Sequence, residues 1–322
     1  MKKSFLRFLI LFSIFVIIAS GFSSCDSKAK ITPDPYIPVV PENPTVFKRE
    51  SLYVDYVEYR NGNLPLIISV PHDGQKTNSA FTLRTKDNCP DPNFATVRDT
   101  YTTELANLID SVVHVRTGKY VHLVRCDIKR TYVDMNREQR YAVPTDSKQV
   151  PVYELYHSRM KSARNLVTIL YGRGLVIDIH AHGHDVQQVE LGYLLSKTNL
   201  NKSDSEIMAG NYSKDCSIFA LSTNNKLNKN FVELLRGTGS FGDILTQKNV
   251  PCVPNSAKPK PDAEYYFDGG YITQTYGSAQ ATGGTVDAIQ MEFDSTARSA
   301  ERRKEYATNV ADAVLQFIEL YY

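Results

Sequence analysis

The stretch VIDIHAHGHD, residues 176–185, decides how the chain is organised. Together with Leu175 it opens as a short apolar run, alternates through Asp178 and His180, and breaks at Gly183. This pattern predicts a buried β-strand that ends in a polar loop. Ligands bind beyond the carboxyl ends of the strands in open α/β sheets, so this loop is a candidate site.

Histidines are concentrated in this stretch. Three of the seven in the chain lie here, His180, His182 and His184, with Asp178 and Asp185 on either side. Neutral imidazole is the commonest metal ligand, and a ligating ring usually has its other nitrogen held by a carboxylate or a carbonyl. The pattern therefore favours a functional site. The alternative is a solvated loop that is rich in histidine by chance.

Length and charge restrict the classes of protein to consider. The chain has 322 residues and a formal net charge of +2, which suits one large α/β domain or two small ones. Lysine and arginine form no block longer than a few residues, so nothing indicates a nucleic-acid partner.

The first 24 residues have the features of an export signal. A positively charged start precedes an apolar run at residues 8–19, and small residues lead to Cys25. The run is shorter than the roughly 20 apolar residues of a membrane-spanning helix. A cysteine in this place resembles a bacterial lipoprotein signal. We expect cleavage before Cys25, lipidation of its sulfur and attachment to a cell-envelope membrane through that lipid alone, with an uncleaved anchor or ordinary secretion as alternatives.

Residues 25–46 contain five prolines among polar residues, which predicts an extended tether. We expect the folded domain to span residues 47–322. Its four cysteines show no C-x-x-C pairing, and this argues against a cysteine zinc site. An exported protein can form disulfides, but buried free thiols are the favoured prediction for these residues, Cys89, Cys126, Cys216 and Cys252.

Predicted strands alternate with helices of 15 to 20 residues along this domain. The alternation predicts an α/β fold in one domain, with a central mixed and mostly parallel sheet flanked by helices. Asp99 falls in the first turn of a helix predicted over residues 98–115, where capping is the ordinary role of a carboxylate. Asn61-Gly62 predicts a hairpin turn. The composition of residues 269–284 predicts a mobile loop that presents Tyr271 and Tyr276 to a substrate.

Five stretches resemble the N-formylglutamate amidohydrolase family, a distant relative of the zinc carboxypeptidases and aspartoacylases. Their order and approximate spacing match over nearly all of the mature chain. The resemblance implies a zinc-carboxypeptidase-like fold and a zinc-dependent hydrolase that cleaves an amide bond of an N-acyl amino acid or peptide bearing a free carboxylate. The stretches are LPLIISVPHDG (64–74), Arg98-Asp99, VDMNR (133–137), VIDIHAHG (176–183) and AIQMEFDSTAR (288–298).

The resemblance also implies a role for individual residues. One zinc ion would be held by His72, Asp99 and His180. Glu292 would act as the general base that takes a proton from the metal-activated water. Asn136 and Arg137 would bind the substrate carboxylate, and Arg137 would also face the developing oxyanion. The substrate-binding residues expected as a set are Asn136, Arg137, Tyr271, Tyr276 and His182.

Two departures from the family pattern matter. Zinc carboxypeptidases have a glutamate three residues after the first histidine, and here that residue is Gln75, whose neutral amide is a poor zinc ligand. The carboxylate would come from elsewhere, and Asp99 is the matching acidic position in the family pattern. His182 and His184 could line the pocket or take the place of a ligand. Formylglutamate hydrolysis is cytoplasmic, whereas this chain has an export signal, so we expect a peptide or acylated amino acid from the cell envelope or the surroundings. The alternatives are a carboxypeptidase acting on cell-wall or environmental peptides and a non-catalytic envelope binding protein. A serine hydrolase finds little support, since no G-x-S-x-G motif occurs.

Overall fold

The computed structural model describes residues 48–145 and 147–322. The predicted signal peptide (1–24), Cys25 and the tether (25–46) lie outside the described residues. Among the helices that are described, none has the length and apolar character needed to cross a membrane.

Within the described residues, eight strands form one mixed sheet. In chain order they are β1 (Ser51–Val54), β2 (Val57–Arg60), β3 (Leu66–Val70), β4 (His122–Cys126), β5 (Gly174–Ala181), β6 (Val189–Gly192), β7 (Cys252–Val253) and β8 (Val286–Phe293). Their order across the sheet is β1-β2-β4-β3-β5-β8-β6-β7. The four central strands β4, β3, β5 and β8 are parallel, and antiparallel pairs join them to the outer strands β2 and β6.

Helices pack on both faces of this sheet. They are α1 (Thr102–Thr117), α2 (Gln139–Ala142), α3 (Val150–Tyr171), α4 (Lys197–Leu200), α5 (Asp204–Ala209), α6 (Phe219–Thr223), α7 (Phe231–Arg236), α8 (Phe241–Gln247), α9 (Tyr271–Tyr276) and α10 (Arg303–Tyr321). The predicted α/β class, with one mixed sheet between helices, is confirmed.

Two hydrophobic cores follow from the alternation of side chains along the central strands. Leu175 and Ile177 of β5 pack in the core that includes α1, α8 and α10, whereas Val176 packs in the core that includes α3 and α9. Successive residues of a strand point to opposite faces, and a central parallel strand is buried on both. This explains why β5 is apolar at consecutive positions before its polar end.

The first hairpin differs from its prediction. Its turn is formed by Asp55 and Tyr56, which have φ angles of 40° and 73°, and not by Asn61-Gly62. Gly62 instead lies against the backbone that leads into β4. A Cβ added to Gly62 would come within 2.4 Å of the backbone nitrogen of His122. Glycine at this position therefore serves a close backbone approach.

Residues 269–284 do not form the predicted mobile loop. They contain helix α9, whose Ile272 and Tyr276 are buried in the core next to α3. The prediction was wrong because it was made from the glycine-rich composition, which does not indicate that Ile272 and Tyr276 belong to the core. The prediction of free thiols is confirmed, since all four cysteines of the described residues are buried and unpaired.

Candidate active site

Three of the four central strands, β3, β5 and β8, deliver polar side chains to one edge of the sheet. His72 follows β3 by two residues, and His180 and Glu292 each occupy the penultimate position of their strand. His180 and Glu292 are direct partners in the register of β5 with β8. Because the strands are parallel, their carboxyl ends meet at the edge where α/β proteins bind ligands.

Asp99 joins the two histidines and does not cap a helix. Helix α1 begins only at Thr102, because Tyr101 before it has a left-handed backbone with a φ of 68° and makes no side-chain cap. The Asp99 Oδ2 atom lies 3.3 Å from His72 Nδ1 and 3.0 Å from His180 Nδ1. The backbone nitrogen of Asp99 donates to the His72 carbonyl at 3.2 Å, which fixes the loop beside β3.

Each histidine has a second carboxylate behind it. His72 Nε2 lies 2.7 Å from Asp134 Oδ1, and His180 Nε2 lies 2.9 Å from Asp178 Oδ2. Burial alone would raise the pKa of Asp134, but Arg130 and His72 hold that pKa well below its usual value. Both backing carboxylates are thus placed to accept a proton from Nε2 and to leave the Nδ1 lone pair toward Asp99.

This donor set suits a divalent metal ion. His72, Asp99 and His180 are all buried, and their ligand atoms lie within 4.8 Å of one another. Two imidazole nitrogens, a carboxylate and an open position are the composition of catalytic zinc sites. Burial works against a charged imidazole, yet Asp178 and Asp99 raise the pKa of His180 well above its ordinary value. The cluster therefore attracts positive charge into a buried position.

Glu292 lies beside this cluster and faces the cavity. Its Oε1 accepts a hydrogen bond from Gln290 Nε2 at 3.0 Å. Burial raises the pKa of Glu292 to about 8, and the negative charges of Asp99 and Glu190 act in the same direction. A buried carboxylate with a pKa near neutrality is suited to general acid–base catalysis.

The cluster forms the floor of a cavity of about 690 Å³. That volume is within the usual range for sites that bind small molecules. The cavity walls come mainly from three loops, and they include Asp91, Asn93, Arg130, Asn136, Arg137, Tyr141, Leu194, Phe267, Asp268, Gly270, Tyr271, Gln274 and Gln290.

Arg137 lines the cavity and is held firmly in place. Its Nε is paired with Asp91, Nη1 donates to the Asn136 carbonyl at 2.7 Å, and Nη2 donates to the Asn93 carbonyl at 3.0 Å. An arginine has five N–H donors, so one hydrogen on each terminal nitrogen is left for a ligand. The side chain contacts neither His72 nor His180 among the described hydrogen bonds.

Asn136 reaches the cavity, but its amide already has protein partners. Its Oδ1 accepts from the backbone nitrogen of Ile272 at 2.8 Å, and its Nδ2 lies 3.3 Å from His180 Nε2. Gly270 is pressed against the same amide, so that an added Cβ would lie 2.2 Å from Nδ2. Asn136 thus anchors helix α9 through its Oδ1, whereas its Nδ2 only lies next to His180 Nε2, which donates to Asp178. A substrate contact for Asn136 stays a prediction.

The structure places Tyr271 on the cavity wall and Tyr276 away from it. Tyr276 is 1% exposed, and its hydroxyl lies 2.7 Å from His157 Nδ1 in the core beside α3. The expectation that Tyr276 contacts a substrate is therefore corrected. It fails because α9 directs only its first tyrosine into the cavity.

His182 is also corrected as a substrate-binding residue. It is 3% exposed, its Nε2 donates to the Gln188 carbonyl at 2.8 Å, and its Nδ1 accepts from the His184 backbone nitrogen at 3.1 Å. Both ring nitrogens of His182 thus form hydrogen bonds with backbone atoms. For the same reason the neighbouring group of His182, His184 and Glu190, although close enough together to be considered as metal ligands, lacks a free nitrogen on His182.

Gln75, the departure from the carboxypeptidase pattern, is exposed and takes no part in the buried cluster. Asp99 contributes the carboxylate instead. Sequence reasoning noted Asp178 as a carboxylate beside the histidines but did not connect Asp134 or Arg130 with them. One signal was available: Asp178 precedes His180 by two residues in a strand, and this spacing puts both on one face.

Searches with protein-family models and among curated proteins found no match. Among solved structures, the chain is similar to the N-formylglutamate amidohydrolase from Ralstonia eutropha JMP134, with 13% identity and a TM-score of 0.43 over 80% of this chain and 93% of that one. A gene product from Agrobacterium tumefaciens shows 12% identity and a TM-score of 0.44 over 83% and 96% of the two chains. The N-acetylmuramyl-L-alanine amidase from Mycobacterium smegmatis shows 13% identity and a TM-score of 0.34 over 79% and 96%. These values describe a distant likeness of fold, and the structural neighbours include a member of the family that the five sequence stretches resemble.

Proposed function

We propose that this chain is a metal-dependent hydrolase that cleaves an amide bond of an N-acyl amino acid or peptide bearing a free carboxylate. One observation carries the proposal. His72, Asp99 and His180 converge in a buried cluster, both histidines are backed by further carboxylates, and Glu292 lies beside them on the floor of a large cavity.

The three converging residues would hold one divalent metal ion, and zinc is the ion that two imidazoles and a carboxylate suit best. A bound metal ion supplies polarisation of the scissile carbonyl and acidification of water. Asp134 and Asp178 hold the two imidazoles in the orientation that ligation needs. Such partners typically raise the basicity of the ligating ring.

The remaining steps belong to side chains of the cavity. Glu292 takes a proton from the attacking water and returns it to the leaving nitrogen. Arg130, whose Nε is fixed by Asp134 at 2.9 Å, lies close to the ligand cluster, with Nη1 3.8 Å from Asp99 Oδ1. It is better placed than Arg137 to stabilise the developing oxyanion. Arg137 keeps two N–H donors for the substrate carboxylate.

Two further parts of the proposal come from the sequence. The export signal and Cys25 support a lipid-anchored enzyme of the cell envelope, with a substrate from the envelope or the surroundings. A non-catalytic binding protein was suggested by Gln75, but the position of Asp99 supports the hydrolase.

Glu292→Gln tests the proposal, with Asp287→Asn as its matched control. Both change a buried carboxylate of β8, but Asp287 lies at the other end of the strand and bonds to Ser278 and Tyr322. Turnover of N-acyl amino acids and short peptides is measured together with metal content. We expect Glu292→Gln to retain metal and lose about 10²-fold or more in kcat, the size of a general-base contribution. Unchanged turnover in Glu292→Gln would remove this residue from the mechanism.

A further inference from the structure

Arg298 lies outside the cavity, yet its guanidinium reaches three segments of the active site. Its Nε donates to the carbonyls of Phe293 and Asp294, each at 3.1 Å. Its Nη1 donates to the Thr100 carbonyl at 2.9 Å and to the Thr100 hydroxyl at 2.8 Å. Its Nη2 donates to the His182 carbonyl at 3.1 Å.

Each of these acceptors lies one or two residues after a residue of the proposed mechanism. Thr100 follows Asp99, Phe293 follows Glu292, and His182 comes two residues after His180. The three segments are far apart in sequence, since Thr100 is 198 residues and His182 is 116 residues from Arg298. A single side chain therefore joins the loop after β3, the end of β5 and the end of β8.

The arginine itself is fixed at both ends. Its own carbonyl accepts from Arg303 Nε at 3.0 Å, which ties it to the start of α10. The turn that carries it is closed by Ala297 N donating to Asp294 Oδ1 at 2.9 Å. A held guanidinium with donors in a planar fork can bridge separate acceptors, whereas the ammonium of lysine is a single point.

We propose that Arg298 is a positioning residue that sets the relative placement of Asp99, His180 and Glu292. This inference rests on the proposed function, because it concerns the metal ligands and the base of that mechanism. Arg298 acts on them through the backbone that follows each one. Losing the fork would let the three segments move independently, and the metal ligands would lose their common geometry.

Arg298→Lys is the main test, because lysine keeps the charge and loses the fork. The matched control is Arg236→Lys, because Arg236 is not among the residues that line the cavity. Arg236 is also held by backbone carbonyls, those of Leu200 at 2.6 Å and Lys202 at 2.8 Å, and it is paired with Asp204. Both variants remove a comparable bridging guanidinium, so a general loss of stability should affect them alike.

Two measurements are made on both variants and on the wild type. Zinc affinity is measured by competition with a chelator, and amide hydrogen exchange is measured for the segments around Thr100, His182 and Phe293. We expect Arg298→Lys to lower zinc affinity about 10- to 100-fold, as the loss of outer-shell support typically does, and to speed exchange in all three segments. Arg236→Lys should change neither.

Wild-type zinc affinity in Arg298→Lys would overturn the proposal, since the charge alone would then suffice. Unchanged exchange in the three segments would overturn it as well. If the wild-type protein binds no zinc, the proposed function fails, and the exchange measurement still decides whether Arg298 holds the segments together. An Arg298→Met variant separates the charge of the side chain from its geometry. Because the proposal assigns the effect to geometry, we expect the Lys and Met variants to lose zinc affinity equally.

Discussion

At the scale of single residues, the candidate site is a set of charges that would be costly to bury one at a time. Asp134 is fully buried, and its charge is compensated by Arg130 and His72. A buried charge is tolerated only when it is paired and hydrogen-bonded. Asp178 is likewise buried between His180 and the Ser69 hydroxyl, which donates to it at 2.7 Å. These partners indicate that the imidazoles are held for a purpose beyond packing.

Some of these residues could be predicted from sequence and others could not. His180 and Glu292 could be predicted because the ends of strands can be recognised from apolar runs in the sequence. The role of Asp99 was ambiguous, because helix α1 begins at Thr102, four residues later than the hydrophobic pattern predicts. The role of Asp134 depends on a contact with His72, 62 residues away in the sequence, that no local pattern encodes, and Arg130 takes part as the partner of Asp134.

Asp178→Asn is expected to weaken metal binding without unfolding the protein. Asparagine keeps an oxygen for His180 Nε2 but loses the charge that raises the basicity of the ring. We expect zinc affinity to fall about 10- to 100-fold, measured by chelator competition. Circular dichroism should show that the fold persists. An affinity equal to that of the wild type would mean that Asp178 serves packing alone.

At the scale of elements, the long central strands follow their sequence pattern and the short pieces do not. The strand predicted from Leu175 onward is β5, which ends at Ala181, where the predicted polar loop begins. Helix α9 has only six residues between Gly270 and Gly277, so its periodicity is too short to recognise. Its burial is decided by contacts with α3 and β8, which are properties of the folded chain.

Gly270→Ala tests how closely α9 must approach Asn136. The φ angle of Gly270 is −142°, which any residue adopts, so the effect of alanine is steric. Its Cβ would lie 2.2 Å from Asn136 Nδ2 and would displace either the amide or the helix. We expect kcat/KM to fall about tenfold or more, because small misplacements of positioning groups are costly.

Gly183→Ala is the control for that variant. Gly183 lies in the loop after β5, also close to the site, but an added Cβ there would meet no atom within 4 Å. Its turnover should equal that of the wild type. Equal losses in both variants would show that the effect comes from the loops in general and not from the contact with Asn136.

The pH dependence of stability should contain a contribution from Asp287 on β8. Burial raises its pKa from 3.8 to about 6. The folded state therefore binds this proton more tightly than the unfolded state, and the stabilisation is full below about pH 4 and lost as the pH rises through 6. At 1.36 kcal/mol per pKa unit the difference is about 3 kcal/mol.

Asp287→Asn removes this titration while keeping an oxygen for Ser278 and the Leu221 backbone nitrogen. Denaturant unfolding at pH 4 and pH 7 measures the effect in both proteins. The free energy of unfolding of the variant minus that of the wild type should be larger at pH 7 than at pH 4. A stability difference that is the same at both pH values would contradict the raised pKa.

At the scale of the whole molecule, the folded domain and the N-terminal segment are predicted from different features of the sequence. The fold is predicted from hydrophobic periodicity over residues 47–322, whereas the export signal and the tether are predictions from composition. Membrane attachment therefore depends on Cys25 alone in our proposal. The domain contributes the chemistry, and the predicted tether would place it near envelope substrates.

Cys25→Ala is expected to abolish lipid attachment, and with it cleavage of the predicted signal peptide, when the protein is expressed in a bacterial host that processes lipoproteins. Two acyl chains anchor stably, and none remains when the modified sulfur is lost. Fractionation and labelling with a fatty-acid analogue measure the change. The proposal predicts label on the wild type and none on Cys25→Ala, whereas an unlabelled wild type in the membrane fraction would favour an uncleaved apolar anchor.

The most direct test of the central claim is the metal content of the purified domain. Elemental analysis should find about one zinc per chain in the wild type and in His184→Ala, because His184 belongs to the neighbouring group in which His182 has no free nitrogen. His180→Ala should lose the metal, since it removes one of three ligands. A wild-type protein without bound metal, or a metal lost on changing His184 and kept on changing His180, would contradict the proposed centre.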